Sequence, residues 1–202
     1  MAMAERGRPR AFDRDEALHR AMHVFWSCGY EGASVNDLAQ AMGINKPSLY
    51  AAFGCKEELF RAAIELYEQE EGAPVGEALE CSRTARGAIE TALRVIARGY
   101  TNPDNPRGCM LVVSALAGAP ESSRVCNFLA ANRREGEENF KRRVARGVVE
   151  GDVPASADPD RVAGFYATVM HGLSIRARDG ANASELEHII DSAMAAWDAI
   201  AR

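Results

Sequence analysis

Apolar residues along the chain recur at spacings of three and four, and strict alternation is almost absent. That pattern predicts helices nearly throughout and no sheet. The first element opens at Asp13, with Glu16 placed to complete a capping box. Leu18, Ala21, Met22, Phe25 and Trp26 then form one apolar face, and Gly29 is the expected stop. A short helix from Ser34 through Met42 follows, then Gly43, then another from about Asn45 to Phe53 with Pro47 in its first turn, where a missing N–H costs little. A fourth runs from Lys56 to about Gln69, and Gly72, Pro74 and Gly76 predict a break after it.

Beyond that break the pattern predicts longer helices. Thr84–Gly99 is periodic, residues 102–108 form a turn-rich loop, and Cys109–Ala117 is a short buried run ended by Gly118 and Pro120. A long helix extends from Glu121 to about Val149. Asp158 followed by Pro159 reads as a cap and first helical position for a helix carrying Val162, Phe165, Tyr166, Val169 and Leu173. Ser184 and Glu187 form a capping box before the last helix, with Leu186, Ile189, Ile190, Met194, Trp197 and Ile200. The expectation is an all-α protein of about nine helices, three of them short and close together near the N-terminus.

The two short helices flanking Gly43 have the logic of a helix-turn-helix. Ala39 is small where the helices approach, Gly43 supplies a positive φ, and Leu38, Ile44 and Leu49 are apolar anchors. Asn45, Lys46, Ser48, Tyr50 and Ala51 are left on the outer side of the second helix, the one that enters a major groove in such motifs. Arg6, Arg8 and Arg10 form a basic arm ahead of the first helix, suited to a DNA backbone or minor groove.

Residues 8–67 resemble the N-terminal domain of the TetR family of bacterial transcriptional regulators. Four marks are in register: Gly29-Tyr30 closing the first helix, S-V-x-D-L-A from Ser34, G-I-x-x-x-S-L-Y-x-x-F from Gly43, and K-E-E-L from Lys56. The resemblance implies an N-terminal DNA-binding domain over residues 1–54 and a C-terminal ligand-binding and dimerisation domain over 55–202, linked by the helix 56–69. It implies DNA contacts from Arg8, Arg10, Ser34, Asn45, Lys46, Pro47, Ser48, Tyr50, Ala51 and Lys56. Ser34 would cap the second helix and face a phosphate, Tyr50 would point its hydroxyl at a phosphate, and Lys56 would make another such contact. Two departures stand out. Ala51-Ala52 replaces larger side chains, so this stretch reaches thymine methyls without bidentate base bonds. Cys55 occupies a cap position, for which it is a poor residue.

For the remaining chain the resemblance implies a homodimer built on the last two helices, with Val169, Leu173, Ile190, Met194 and Trp197 at the interface. The middle helices would enclose an effector pocket, for which Tyr67, Tyr100, Met110, Phe128, Phe165 and His171 are the candidates, although by spacing each reads first as plain core. The basic run Arg133, Arg134, Lys141, Arg142, Arg143 and Arg146 is interleaved with Glu135, Glu137 and Glu138 and reads as a solvated face.

The implied function is a ligand-responsive regulator, most simply a repressor released from a palindromic DNA operator by a small molecule. The alternative is a helical small-molecule-binding or redox-sensing protein, working through Cys109 or Cys126, with the helix-turn-helix as scaffold. No catalytic signature is present, and neither a cofactor nor a metal is expected. His19 and His23 stand at i, i+4 but lack the surrounding ligand set. The five cysteines have no C-x-x-C spacing and are expected as reduced thiols of a cytoplasmic protein with no membrane partner.

Charge changes the picture in one respect. The 202 residues carry a formal net charge of −5, which by itself speaks against a nucleic-acid partner. Residues 1–54 nevertheless hold 6 basic and 6 acidic side chains, while 55–202 hold 18 and 23. The acidity lies outside the proposed DNA-binding unit, so affinity must come from a few placed contacts and from dimerisation.

Overall fold

The computed structural model describes residues 12–114 and 123–202, and the described residues contain helices and no strand. The expected contacts of Arg8 and Arg10 lie outside the described residues, as do the stops at Gly118 and Pro120.

Helix α1 (Arg14–Gly32) starts where Asp13 Oδ1 accepts from the amides of Asp15 and Glu16 at 3.0 and 3.1 Å. The Glu16 carboxylate pairs with Arg20. Gly29 kinks the helix at φ 72° without ending it, and one more turn follows. The reason is a close approach: a Cβ on Gly29 would stand 3.3 Å from the Ser114 carbonyl oxygen, which also accepts from the Tyr30 amide.

Helix α2 (Val35–Ala41) packs on α1, α4 (Lys56–Tyr67) lies along α1 as well, and α3 (Lys46–Phe53) packs against α2 and α4. The break expected at Gly72–Gly76 is replaced by continuous helix. A π-helical turn, Glu68–Gly72, joins α4 to α5 (Ala73–Cys81). Gly72 keeps a right-handed conformation, and Pro74 sits in the first turn of α5, directly after the π-helical turn. Wider turns of this kind absorb a change of register and favour functional sites.

Helix α6 (Ala85–Tyr100) is the centre of the C-terminal half and packs against α5, α8 (Ser123–Glu150), α9 (Pro159–Arg178) and α10 (Ala183–Ala195). Arg94 ties α6 to α10 through Glu187 and Asp191, besides Glu90 on its own helix. A four-residue α7 (Met110–Val113) bridges α1, α8 and α9. The chain ends in α11 (Trp197–Ile200), a step beyond Ala196 that divides the single last helix the periodicity predicts. Among the described residues, α5 and α11 are the elements the periodicity does not separate.

One expected cap is displaced. Asn182, not Ser184, opens α10: its side chain accepts from the Glu185 amide, and Glu185 accepts in return from Asn182 N–H at 2.9 Å. The helix begins two residues early, which puts Ser184 inside it and frees Glu187 for Arg94.

Candidate nucleic-acid interface and internal cavity

The N-terminal end is built by local rules. Leu38 and Leu49 are completely buried between α2, α3 and α1, Ala39 and Met42 lie beneath them, and Ile44 is half-buried. Gly43 makes the turn at φ 68°, a conformation that only glycine adopts cheaply. Asn45 caps α3, its Oδ1 accepting from the Ser48 amide at 2.8 Å. With these anchors inside, Asn45, Lys46, Pro47, Tyr50 and Ala51 are exposed on one side of α3, and Ser48 is half-exposed. Tyr50 is 48% exposed, unusual for a large ring that the fold has every opportunity to bury.

Ser34 is exposed at the start of α2, but its polar groups are engaged. Its hydroxyl donates to Asp37 Oδ2 at 2.6 Å, and its amide donates to the same oxygen at 3.1 Å. Those two bonds hold the Asp37 carboxyl below its ordinary range. A phosphate at Ser34 therefore meets a carboxylate. Lys56 sits half-buried at the start of α4 with its ammonium 4.3 Å from the centre of the Tyr30 ring. Glu58 reaches back to the Cys55 amide at 2.8 Å, supplying the cap that cysteine supplies poorly.

A cavity of about 780 Å³ lies between α4–α5, α6, α7, α8 and α9, within the size range of small-molecule sites. Tyr67, Tyr100 and His171 line it as expected. Met110, Phe128 and Phe165 do not. Met110 is wholly buried on the opposite side of α7, Phe128 lies under the Arg61 guanidinium at 4.3 Å, and Phe165 is exposed on the outside of α9. Spacing places these residues on helices near the cavity but cannot tell which way each helix is rotated.

The cavity wall has two characters. Val75, Leu79, Val95, Ile96, Phe140 and Met170 make an apolar body. Tyr67, Tyr100 and Cys109 stand together in the wall, and His171 lies in it near Arg133. Burial pushes both phenols up, the Cys109 thiol adding to it, and burial together with the Arg133 guanidinium pushes His171 down, so its imidazole is neutral. Its Nε2 is buried with no hydrogen-bond partner. Of the two cysteines singled out, Cys109 faces this space and Cys126 lies half-buried on α8 outside it; both are free thiols.

The residue missed by sequence reasoning is Arg143. The run it belongs to is solvated in part: Arg142 pairs with Glu135, Arg146 with Glu80 and Glu150, and Lys141 with Asp160. Arg143 is only 3% exposed and lines the cavity. The signal was its position three residues after Phe140 and four before Gly147, both on the inward stripe of α8.

The outer faces of α9 and α10 also differ from expectation. Leu173, Ile190, Met194 and Trp197 are buried inside the protomer, where the Tyr166 hydroxyl donates to the Ala193 carbonyl and its ring lies 5.6 Å from Trp197. They are core within one chain. Only Val169 of the five interface candidates remains half-exposed, and it shares the outside with Phe165, Thr168, Gly172, His188 and Ile189.

A DNA-facing helix-turn-helix on a helical body with an internal cavity defines a class of regulator, and comparison with known proteins supplies the family. The family model described as bacterial regulatory proteins, tetR family, matches residues 17–63. The HTH-type transcriptional repressor ComR of Escherichia coli (strain K12) is 34% identical over 193 residues, covering 95% of this chain and 92% of that protein. The repressor BdcR of the same organism is 30% identical over 196 residues, covering 96% and 92%. Among solved structures, a cysteine mutant of the TetR family regulator CifR in complex with 26-base-pair operator DNA is 46% identical, with a TM-score of 0.92 over 95% of this chain and 100% of that one.

The chain belongs to the TetR family of bacterial transcriptional regulators. It is a DNA-binding helix-turn-helix regulator, and its relatives are regulators, not enzymes. Among the described residues no helix is long and apolar enough to cross a membrane.

Proposed function

We propose that the protein is a homodimeric repressor that binds a palindromic operator and is released by a small molecule entering the 780 Å³ cavity. The observation that carries this reading is the pairing of that cavity with α4. One end of α4 presents Lys56 beside the exposed face of α3, and the other places Tyr67, with Glu68 and Glu71 of the π-helical turn, in the cavity wall. A ligand that displaces the wall moves the element that positions the recognition helix. DNA binding then weakens effector binding by the same factor.

Within this reading residues 1–54 are the DNA-binding unit and 55–202 the effector and dimer unit. Lys46, Pro47, Ser48, Tyr50 and Ala51 meet the DNA, Asn45 positions α3 as its cap, and Lys56 swings from Tyr30 to a phosphate. The dimer face consists of the outward residues Phe165, Thr168, Val169, Gly172 and Ile189, since the deeper residues of α9 and α10 serve the protomer core. Two recognition helices spaced by about one DNA turn, ~34 Å, sum their contacts on a palindrome. This places the protein in the cytoplasm with DNA.

Fluorescence anisotropy on DNA from upstream of its own gene tests the proposal. Specific, salt-sensitive binding at a palindrome is expected, with two protomers per site. Binding indifferent to sequence and salt overturns it.

A further inference from the structure

We infer that the effector is a carboxylic acid with an apolar body, its acid group seated against Arg143 and its body laid along α8 toward His171. This deepens the reading of the cavity as the effector site and rests on it. Arg143 is a buried guanidinium with two donor atoms unspent. The Arg143 side chain is 2% exposed, yet Nη2 alone is satisfied, donating to the Ser82 carbonyl at 3.1 Å. Nε and Nη1 are buried with no hydrogen-bond partner. The Glu150 carboxylate stands 3.9 Å from Nη1, outside hydrogen-bond range, and its other oxygen is taken by Arg146 at 2.9 Å. Buried charges are ordinarily paired and hydrogen-bonded, and a protein retains an exception at a cost unless something binds there.

The other cavity-lining charges are engaged or are not cations in need of a partner. Arg142 and Arg146 hold Glu135 and Glu80, and Arg133 donates to the Leu111 carbonyl at 2.6 Å. Glu71 accepts from Asn105 at 2.8 Å, and burial pushes both Glu71 and Glu68 toward the neutral form. Among the described residues, Arg143 is thus the cavity-lining cation whose unspent donors are shut away from water. Along α8 the ten steps from Arg133 to Arg143 span about 15 Å, and the cavity between them is walled by Phe140, Leu79, Val75, Ile96 and Met170. At the far end, His171 Nε2 is a third unpartnered buried atom, a neutral partner for a polar tail. An amphiphile with one acid end matches this order of groups.

The test uses the full-length protein with octanoate and 1-octanol as matched probes, measured by isothermal titration calorimetry at pH 7.5. The acid is expected to bind roughly ten- to a hundredfold more tightly than the alcohol, the range for a hydrogen bond to a charged group. Arg143→Met is expected to bring the acid down to the alcohol and leave the alcohol unchanged. Arg143→Lys keeps the charge and is expected to retain part of the preference. Thermal melts check that each variant is folded, and replacing a buried, incompletely hydrogen-bonded guanidinium by an apolar side chain of similar length is expected to preserve stability to within the loss of its one bond to the Ser82 carbonyl. Equal affinity for acid and alcohol, undiminished preference in Arg143→Met, or no binding of either probe overturns the inference. Operator binding by the ligand-free protein is measured in parallel. If it persists while acid preference is absent, the acid inference alone fails; if ligand-free protein does not bind its operator, the regulator reading fails.

Discussion

The two ends of the molecule satisfy their polar groups in opposite ways. In the helix-turn-helix, each helix start is capped within three residues by its own segment: Asp13 to Glu16, Ser34 to Asp37, Asn45 to Ser48. Its apolar anchors are few, with Leu38 and Leu49 fully buried and Ile44 half-buried. The cavity is assembled from five stretches of chain, and it leaves Arg143 and His171 with buried atoms unpartnered. The first region has a single rigid solution, as a module that must dock on a fixed lattice of phosphates requires. The second stores unpaired interactions that a ligand can complete. Function here separates into a part that is finished on folding and a part that is finished on binding.

Truncations in the two regions should break that comparison most visibly. Phe25→Ala, in a completely buried site stacked edge-on against Phe60 at 4.9 Å, is expected to cost about 3–5 kcal/mol in urea unfolding and to abolish DNA binding. Leu111→Ala, in the half-buried cavity wall, should cost only about 1 kcal/mol, because its side chain already borders empty space. Equal costs would mean the cavity wall is packed like the core.

Glycine substitutions sharpen the contrast between crowded and open backbone. Gly108 has φ 80°, and a Cβ there would lie 2.7 Å from the Ser174 carbonyl oxygen, while Gly151 at φ 82° faces open space. Both alanine variants incur about 1–2 kcal/mol for the left-handed backbone, and Gly108→Ala is expected to lose more. The Trp26 indole N–H donates to the Gly108 carbonyl at 2.8 Å, so that loss should also shift the tryptophan fluorescence.

Asn45→Ala removes a cap and should cost about 1 kcal/mol by denaturation, with a matching loss of affinity for the operator as α3 frays. Lys46→Ala and Tyr50→Ala leave stability nearly unchanged, since both side chains are exposed. Lys46→Ala should lower the salt dependence of operator binding by about two in slope, one phosphate per protomer, while Tyr50→Ala removes an uncharged donor and should lower affinity at an unchanged slope; both should leave base preference intact. A changed base preference in either variant would reverse its assigned role.

The smallest expected effect is one of pH. His171 has a folded value below its ordinary 6.5 because burial opposes the charged ring. The unfolded chain therefore binds the proton first as pH falls. Stability from this group is fully present above about 6.5 and is lost progressively as pH drops from there through the folded value. His171→Gln should flatten that part of the stability profile; an unchanged profile would assign the dependence to His23, which burial and His19 also push down.

Much of the DNA-facing end was legible because its determinants are close in sequence. Caps act over three residues, amphipathic faces over three and four, and Gly43 supplies its own turn. The errors arose where that locality failed. Gly29 kinks without stopping α1 because Ser114 approaches it, a contact eighty-five residues away in the chain. Gly72 and Pro74 stay helical because the π-helical turn takes up the register. Leu173, Ile190, Met194 and Trp197 looked like an interface because apolar spacing cannot distinguish the core of one chain from the seam between two.

The sequence by itself determined the class of fold, the helix-turn-helix and the family, since periodicity, capping and motif register are short-range properties. The tertiary structure alone decided which faces of α8 and α9 turn inward, that a cavity exists between them, and that Arg143 stands in its wall instead of in water. Those outcomes depend on how helices distant in sequence share volume, and volume between elements is not encoded in the spacing within any one of them.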